Sequence, residues 1–235
     1  MPLRQNAPAD PKTYLKEVAG LCAVPWPRNR TVTIVCHGHS VPAGYFATPH
    51  VATFDAYPHL WHRAIKERFP NAVVNVVVTA IGGEHSESGA ARFAADVLGL
   101  RPDVVTIDYA LNDRRVGLEP ARRAWVAMLD AAASARTRSN LPPRVLLLTP
   151  TPDVTQRPDA PEADRKPLRE HADQVRALAA EYRVGLVDSL AAFDRAVAET
   201  GRPLGDFLSQ SNHPNRRGHD LVAAELARWL PGEAR

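Results

Sequence analysis

TVTIVCHGHS, residues 31–40, is the stretch on which the reading of this chain turns. Residues 31–37 are a β-branched, apolar run of strand length, and polar and apolar positions do not alternate along it. A strand of that kind is covered on both faces. Four more runs share the pattern: AVVNVVV (72–78), DVVTID (103–108), RVLLLT (144–149) and VGLVD (184–188). Helix-patterned stretches lie near 54–69, 86–97, 118–137 and 165–182, and another at 215–230 closes the chain. Alternating strands and helices joined by right-handed crossovers predict an α/β fold, a three-layer α/β/α sandwich with a central five-stranded parallel sheet. In such sheets ligands bind beyond the carboxyl ends of the strands, so the loops after each run are where chemistry is sought.

Outside this core, residues 1–30 read as a lead-in and residues 31–235 as one catalytic domain. The lead-in has a short helix over 11–19, with Asp10 as its cap, Pro11 at its first turn and Gly20 beyond its end, followed by a proline-stiffened VPWPRNR at 24–30. At 235 residues the chain buries enough surface to stand without a disulfide or metal. Its two cysteines, Cys22 and Cys36, form no metal or disulfide framework. The 29 basic and 26 acidic side chains are interspersed, which argues against a nucleic-acid partner. No run of 18 apolar residues and no secretory h-region occurs, so no membrane partner and a cytoplasmic location are expected.

Four loops carry candidate chemistry. The first strand is followed by His37-Gly38-His39-Ser40-Val41-Pro42, where proline stands in place of the second glycine of a GxSxG elbow. The second is followed by Gly82-Gly83-Glu84-His85, whose glycines free backbone N–H groups to face a ligand. The third ends in Asn112-Asp113-Arg114-Arg115, and Gln210-Ser211-Asn212-His213-Pro214 precedes the last helix. Each signal is weak alone; their order along the chain brings all four to one sheet edge.

This combination resembles the SGNH hydrolases, the GDSL-like esterases and lipases, over most of the chain from about Thr31 onward. The resemblance implies a flavodoxin-like sandwich and a serine esterase with Ser40 as nucleophile and His213 as general base. It also implies an oxyanion hole formed by the Ser40 N–H, the Gly83 N–H and the Asn112 side-chain amide, with no cofactor and no metal. Two residues depart from the family pattern. The Asp after the first glycine is His39, and the Asp three residues before the base is Gln210. A Ser/His dyad is therefore expected, its imidazole oriented by Gln210 or by a backbone carbonyl.

The expected partner is a small acyl ester, an O-acetylated sugar by choice, with His39, Tyr45, Glu84 and Arg114 as candidate substrate contacts. Residues 150–167 read as a proline-rich loop of lid length. Alternatives stay open: a short-chain carboxylesterase or thioesterase of the same fold, an acyltransferase, or a non-catalytic binding module. A metal hydrolase using His37, His39, His85, His213 or His219 with Asp108 or Asp113 is a further rival, although no complete ligand motif is present.

Overall fold

The computed structural model describes residues 7–230. In chain order the elements are α1 (Lys16–Ala23), β1 (Thr31–Gly38), α2 (Ser40–Ala43), α3 (Tyr57–Arg68), β2 (Val73–Val78), α4 (Ser86–Asp96), β3 (Val104–Asp108), α5 (Ala110–Asp113) and α6 (Leu118–Ser134). They continue as β4 (Arg144–Leu148), α7 (Glu162–Tyr182), β5 (Gly185–Val187), α8 (Ser189–Thr200), β6 (Leu208–Gln210), β7 (His213–Pro214) and α9 (Arg216–Ala227). β1 to β5 form one parallel sheet in the order β2-β1-β3-β4-β5. β6 and β7 are a short antiparallel pair outside it.

Successive strand residues point to opposite faces. Val32, Ile34 and Cys36 pack with Leu146 and Leu148 in one apolar layer with residues of α1, α3, α8 and α9. Val35, Val105, Ile107, Val145 and Leu147 face the other layer, filled by Phe93 of α4, Trp125 and Met128 of α6 and Val175 and Leu178 of α7. Both faces are covered, which is why these strands read as unbroken apolar runs. No helix among the described residues is long and apolar enough to cross a membrane.

Four details differ from the sequence expectation. The helix placed at 11–19 begins at Lys16, after a turn started by Asp10, whose side chain accepts from Lys12 N–H at 2.9 Å; Gly20 lies inside it, and the helix stops ahead of Pro25. Leu15, Val18, Ala19 and Cys22 join the main core, so the lead-in packs as part of the same body as the sheet. The unexpected α8 follows β5 directly, capped by the Asp188 side chain, which accepts from Ala191 N–H. The loop placed at 150–167 is shorter, because α7 starts at Glu162 with two carboxylates in its first turn and carries Pro167 inside it.

Gly89, in α4, faces the ring of Tyr109: a Cβ there would stand 2.3–2.5 Å from its ring and hydroxyl atoms. Glycine to alanine inside a helix ordinarily stabilises. Here Gly89→Ala is expected to lower unfolding free energy by about 1–3 kcal/mol through overpacking, read as a lower urea midpoint at unchanged slope.

Candidate active site

β1 ends at Gly38, in register with Asp108 at the end of β3. A Cβ at Gly38 would lie 2.5 Å from the Asp108 carbonyl oxygen, so only glycine permits this approach. Just beyond it the chain turns at His39 and Ser40 opens the single-turn α2, which Gly44 closes at φ +93°. Ser40 keeps 7% of its surface exposed, at the floor of a cleft.

His213 reaches that floor from β7. Its Nε2 stands 3.0 Å from Ser40 Oγ, and its Nδ1 stands 2.8 Å from the Phe46 carbonyl oxygen. A carbonyl only accepts, so Nδ1 carries the proton and Nε2 is left as acceptor for the Ser40 hydroxyl. The orienting group is thus a backbone carbonyl. Gln210 pairs with His213 across the β6–β7 hairpin, but its Oε1 accepts from Thr48 N–H at 3.0 Å and from Thr48 Oγ1–H at 2.8 Å. The side chain expected to orient the base instead braces the loop that carries Phe46, because the Thr48 donors occupy its acceptor oxygen.

That loop is held from several sides. Phe46 N–H donates to the His50 carbonyl at 3.1 Å, and the Phe46 ring stacks on the buried His219 ring with centroids 5.2 Å apart. His219 Nδ1 accepts from Tyr57 N–H, and burial pushes its imidazole down to about 3, leaving it neutral. Burial also lowers His213 below its usual range, and the Phe46 carbonyl opposes the shift.

The oxyanion candidates converge on the same cleft. Asn112, in α5, donates one Nδ2 hydrogen to the Glu84 carbonyl at 2.8 Å, which fixes the amide plane and leaves its second hydrogen free. Gly83 adopts φ +81°, a left-handed conformation suited to glycine. Ser40 is the first residue of α2, so its N–H has no partner within that helix. Ser40, Gly83, Asn112 and His213 together line a cavity of about 340 Å³, joined by Tyr45, Thr48, Gly82, Arg115 and Asn212.

Of the four expected substrate contacts, Tyr45 lines this cleft. The other three are engaged elsewhere. His39 is fully buried beneath Ser40. Glu84 receives two nitrogens of Arg92, the closest at 2.5 Å, and pins the loop after β2 to α4. Arg114 pairs with Asp153 at 2.6 Å. Asp153 in turn belongs to the loop expected to be a lid, where Val154 N–H also donates to the Ser211 carbonyl at 2.8 Å. This loop is fastened to both the α5 and the His213 side of the cleft.

Thr48 and Asn212 emerge as cleft residues unassigned from sequence, and of the Arg114-Arg115 pair it is Arg115 that lines the cleft. Arg115, beside the discarded Arg114, is the one charged residue of the lining other than histidine. The residues of the metal alternative are taken up by other contacts. His37 hydrogen-bonds Thr79, Gly89 and Tyr109 and is pushed down to about 4 by burial. Asp113 accepts from Ser86 N–H and Trp125 Nε1–H, each at 2.7 Å. No group of three or more His, Cys, Asp or Glu side chains able to hold a metal occurs among the described residues.

Residues 36–221 match the profile of the GDSL-like Lipase/Acylhydrolase family, and the chain belongs to that family. Among solved structures it is similar to Axe2, an acetylxylan esterase from Geobacillus stearothermophilus. That match has 19% identity and a TM-score of 0.70 and covers 86% of this chain and 95% of that one. A two-domain esterase active on acetylated mannans matches at 22% identity and TM-score 0.73 over 92% of this chain and 52% of that one. A Parabacteroides merdae protein described as a GDSL-like lipase matches at 18% and 0.70 over 85% and 96%. No curated protein matches the chain. The family match makes this chain a member of a class of carboxylic ester hydrolases, and the structural likenesses carry the α/β/α fold.

Two outcomes are expected. Gln210→Ala removes hydrogen bonds to Thr48 and leaves the imidazole's own acceptor in place. The two bonds together are worth about 1–3 kcal/mol, so kcat/KM for a small ester should fall by at most roughly 10²-fold. The acid limb of the kcat/KM profile should have its midpoint below 6.5, because His213 has to be neutral to act and its pKa is lowered. A midpoint above 7 in steady-state assays contradicts this assignment.

Proposed function

We propose that the chain is a serine esterase that removes small O-acyl groups, acetyl above all, from a carbohydrate through a Ser40/His213 dyad. The contact that carries this reading is Ser40 Oγ to His213 Nε2 at 3.0 Å, with the opposite ring nitrogen on a carbonyl. A serine hydroxyl is a weak nucleophile until a base within hydrogen-bond reach takes its proton. His213 Nε2 takes it as Oγ attacks the ester carbonyl carbon. The negative charge that develops on the carbonyl oxygen meets the Ser40 N–H, the Gly83 N–H and the free Asn112 amide hydrogen. These donors are set before reaction begins, the condition under which such hydrogen bonds are strongest.

As the tetrahedral intermediate collapses, the carbon–oxygen bond to the alcohol breaks and His213 returns the proton to that oxygen. Water then attacks the acyl-Ser40 carbonyl while His213 accepts its proton. Breakdown of the second intermediate returns that proton to Ser40 Oγ and releases the acid. The net change is ester plus water to acid plus alcohol.

The carbohydrate assignment draws on the cleft and on the neighbours' names. Thr48, Asn212 and Arg115 offer hydrogen-bond partners for sugar hydroxyls, and Tyr45 adds a ring 6.0 Å from His213. Two of the similar structures are an acetylxylan esterase and an esterase active on acetylated mannans.

Hydrolysis of 4-nitrophenyl acetate should be lost in Ser40→Ala and should fall by roughly 10²–10³ in kcat for Asn112→Ala, the range for one oxyanion donor. Both variants should stay folded by circular dichroism. Acetylated xylo- and manno-oligosaccharides should be turned over, and activity should fall as the acyl chain lengthens. A preference for long acyl chains, or full activity in Ser40→Ala, would overturn the reading.

A further inference from the structure

Beside Ser40 lies a second imidazole that the dyad does not use. His39 is fully buried, and its side chain caps α2: Nδ1 accepts from Val41 N–H at 3.2 Å and stands 3.5 Å from Ser40 Oγ. Helix caps of this kind are ordinarily Ser, Thr, Asp or Asn, whose oxygens accept from the second or third helical N–H. An imidazole does the same only while Nδ1 is unprotonated, so the ring proton belongs on Nε2.

That nitrogen lies near Asp108. His39 Nε2 is 3.4 Å from Asp108 Oδ1, within ion-pair distance but without hydrogen-bond geometry, and neither atom has a hydrogen-bond partner among the described residues. The other carboxylate oxygen accepts from Tyr57 O–H at 3.2 Å. The Asp108 side chain is 2% exposed, with the Tyr57 hydroxyl donating to one oxygen and His39 Nε2 lying near the other. A buried carboxylate left with a bare oxygen is costly, which favours the tautomer that gives His39 a hydrogen to donate there.

We propose that Asp108 acts through His39 as a positioning pair for Ser40, the carboxylate holding His39 in its Nε2–H tautomer so that Nδ1 caps α2 and fixes the turn that carries Ser40. This rests on the reading of Ser40 as nucleophile. The cap fixes the turn that carries both Ser40 Oγ and its N–H, and so the alignment of nucleophile and oxyanion donor with His213, Gly83 and Asn112. It also explains why His39 is no second base: a proton gained at Nδ1 displaces the Val41 N–H and undoes the cap. An aspartate at position 39 would cap the turn with its own carboxylate. In this chain the carboxylate is supplied by β3, and the imidazole spans the gap.

The pair makes a prediction with a sign. Asp108→Leu, close in shape and without an acceptor, should lower kcat by roughly 10- to 100-fold, as misplacement of reacting groups does, with KM within about twofold. His39→Asp should also lose activity, because two buried carboxylates then face each other. The double variant His39→Asp/Asp108→Leu should exceed both single variants, since the new cap no longer meets a like charge. Nitrogen-15 NMR of the wild-type His39 ring should report the Nε2–H tautomer without substrate and without any variant, so a variant that does not fold leaves the test intact. An Nδ1–H tautomer, wild-type kcat in Asp108→Leu, or a double variant no better than His39→Asp overturns the pair. Failure of the nucleophile reading shows separately, as esterase activity retained in Ser40→Ala or as Ser40 unlabelled by a fluorophosphonate.

Discussion

The close approach of Gly38 to Asp108 is the constraint on which the rest of the site depends. The β1–β3 register sets these two residues level, and with no side chain on Gly38 the backbones meet without a clash. One residue later the chain leaves the sheet, so Ser40 and α5 with Asn112 emerge side by side. The same pairing slides the Asp108 carboxylate beneath His39. A side chain at position 38 would force the strand ends apart and disturb Ser40, Asn112 and the buried Asp108 carboxylate at once.

His213, the proposed base, is organised without a carboxylate of its own. A carbonyl fixes the tautomer of His213 but brings only a dipole to steady the imidazolium, and burial works against that cation. What the chain supplies instead is rigidity. Phe46 is held through its backbone, through its ring against a neutral His219, and through the Gln210–Thr48 contact two residues on. A loop thereby does work that a charged side chain does in a Ser-His-Asp triad.

Charged residues at the sheet edge serve mainly to hold these loops. Glu84 and Arg92 tie the glycine loop to α4, and Arg114 and Asp153 tie α5 to the loop after β4. With these charges neutralised against one another, the cleft is left to hydroxyl, amide and imidazole groups, one tyrosine ring and Arg115. That lining suits a polar neutral ligand whose ester carbonyl is the group to be charged.

The amino-acid sequence alone determined the five parallel strands and the sandwich around them, because runs such as TVTIVCH and RVLLLT carry their two-sided burial in their composition. It also determined the candidates Ser40, Gly83, Asn112 and His213, each placed by strand end or by motif. It missed α8, whose buried residues are Ser189, Leu190, Ala192, Phe193 and Ala196, and it placed the start of α7 near 165 rather than at Glu162. Tertiary structure alone decided what orients His213, since a backbone carbonyl has no residue type by which to be recognised and Gln210 had a nearer donor in Thr48. It alone decided that Glu84 and Arg114 brace rather than bind, and that Asp108 lies behind His39. Contacts between residues far apart in the chain depend on register and loop path, and those follow from packing of the whole fold rather than from any local pattern.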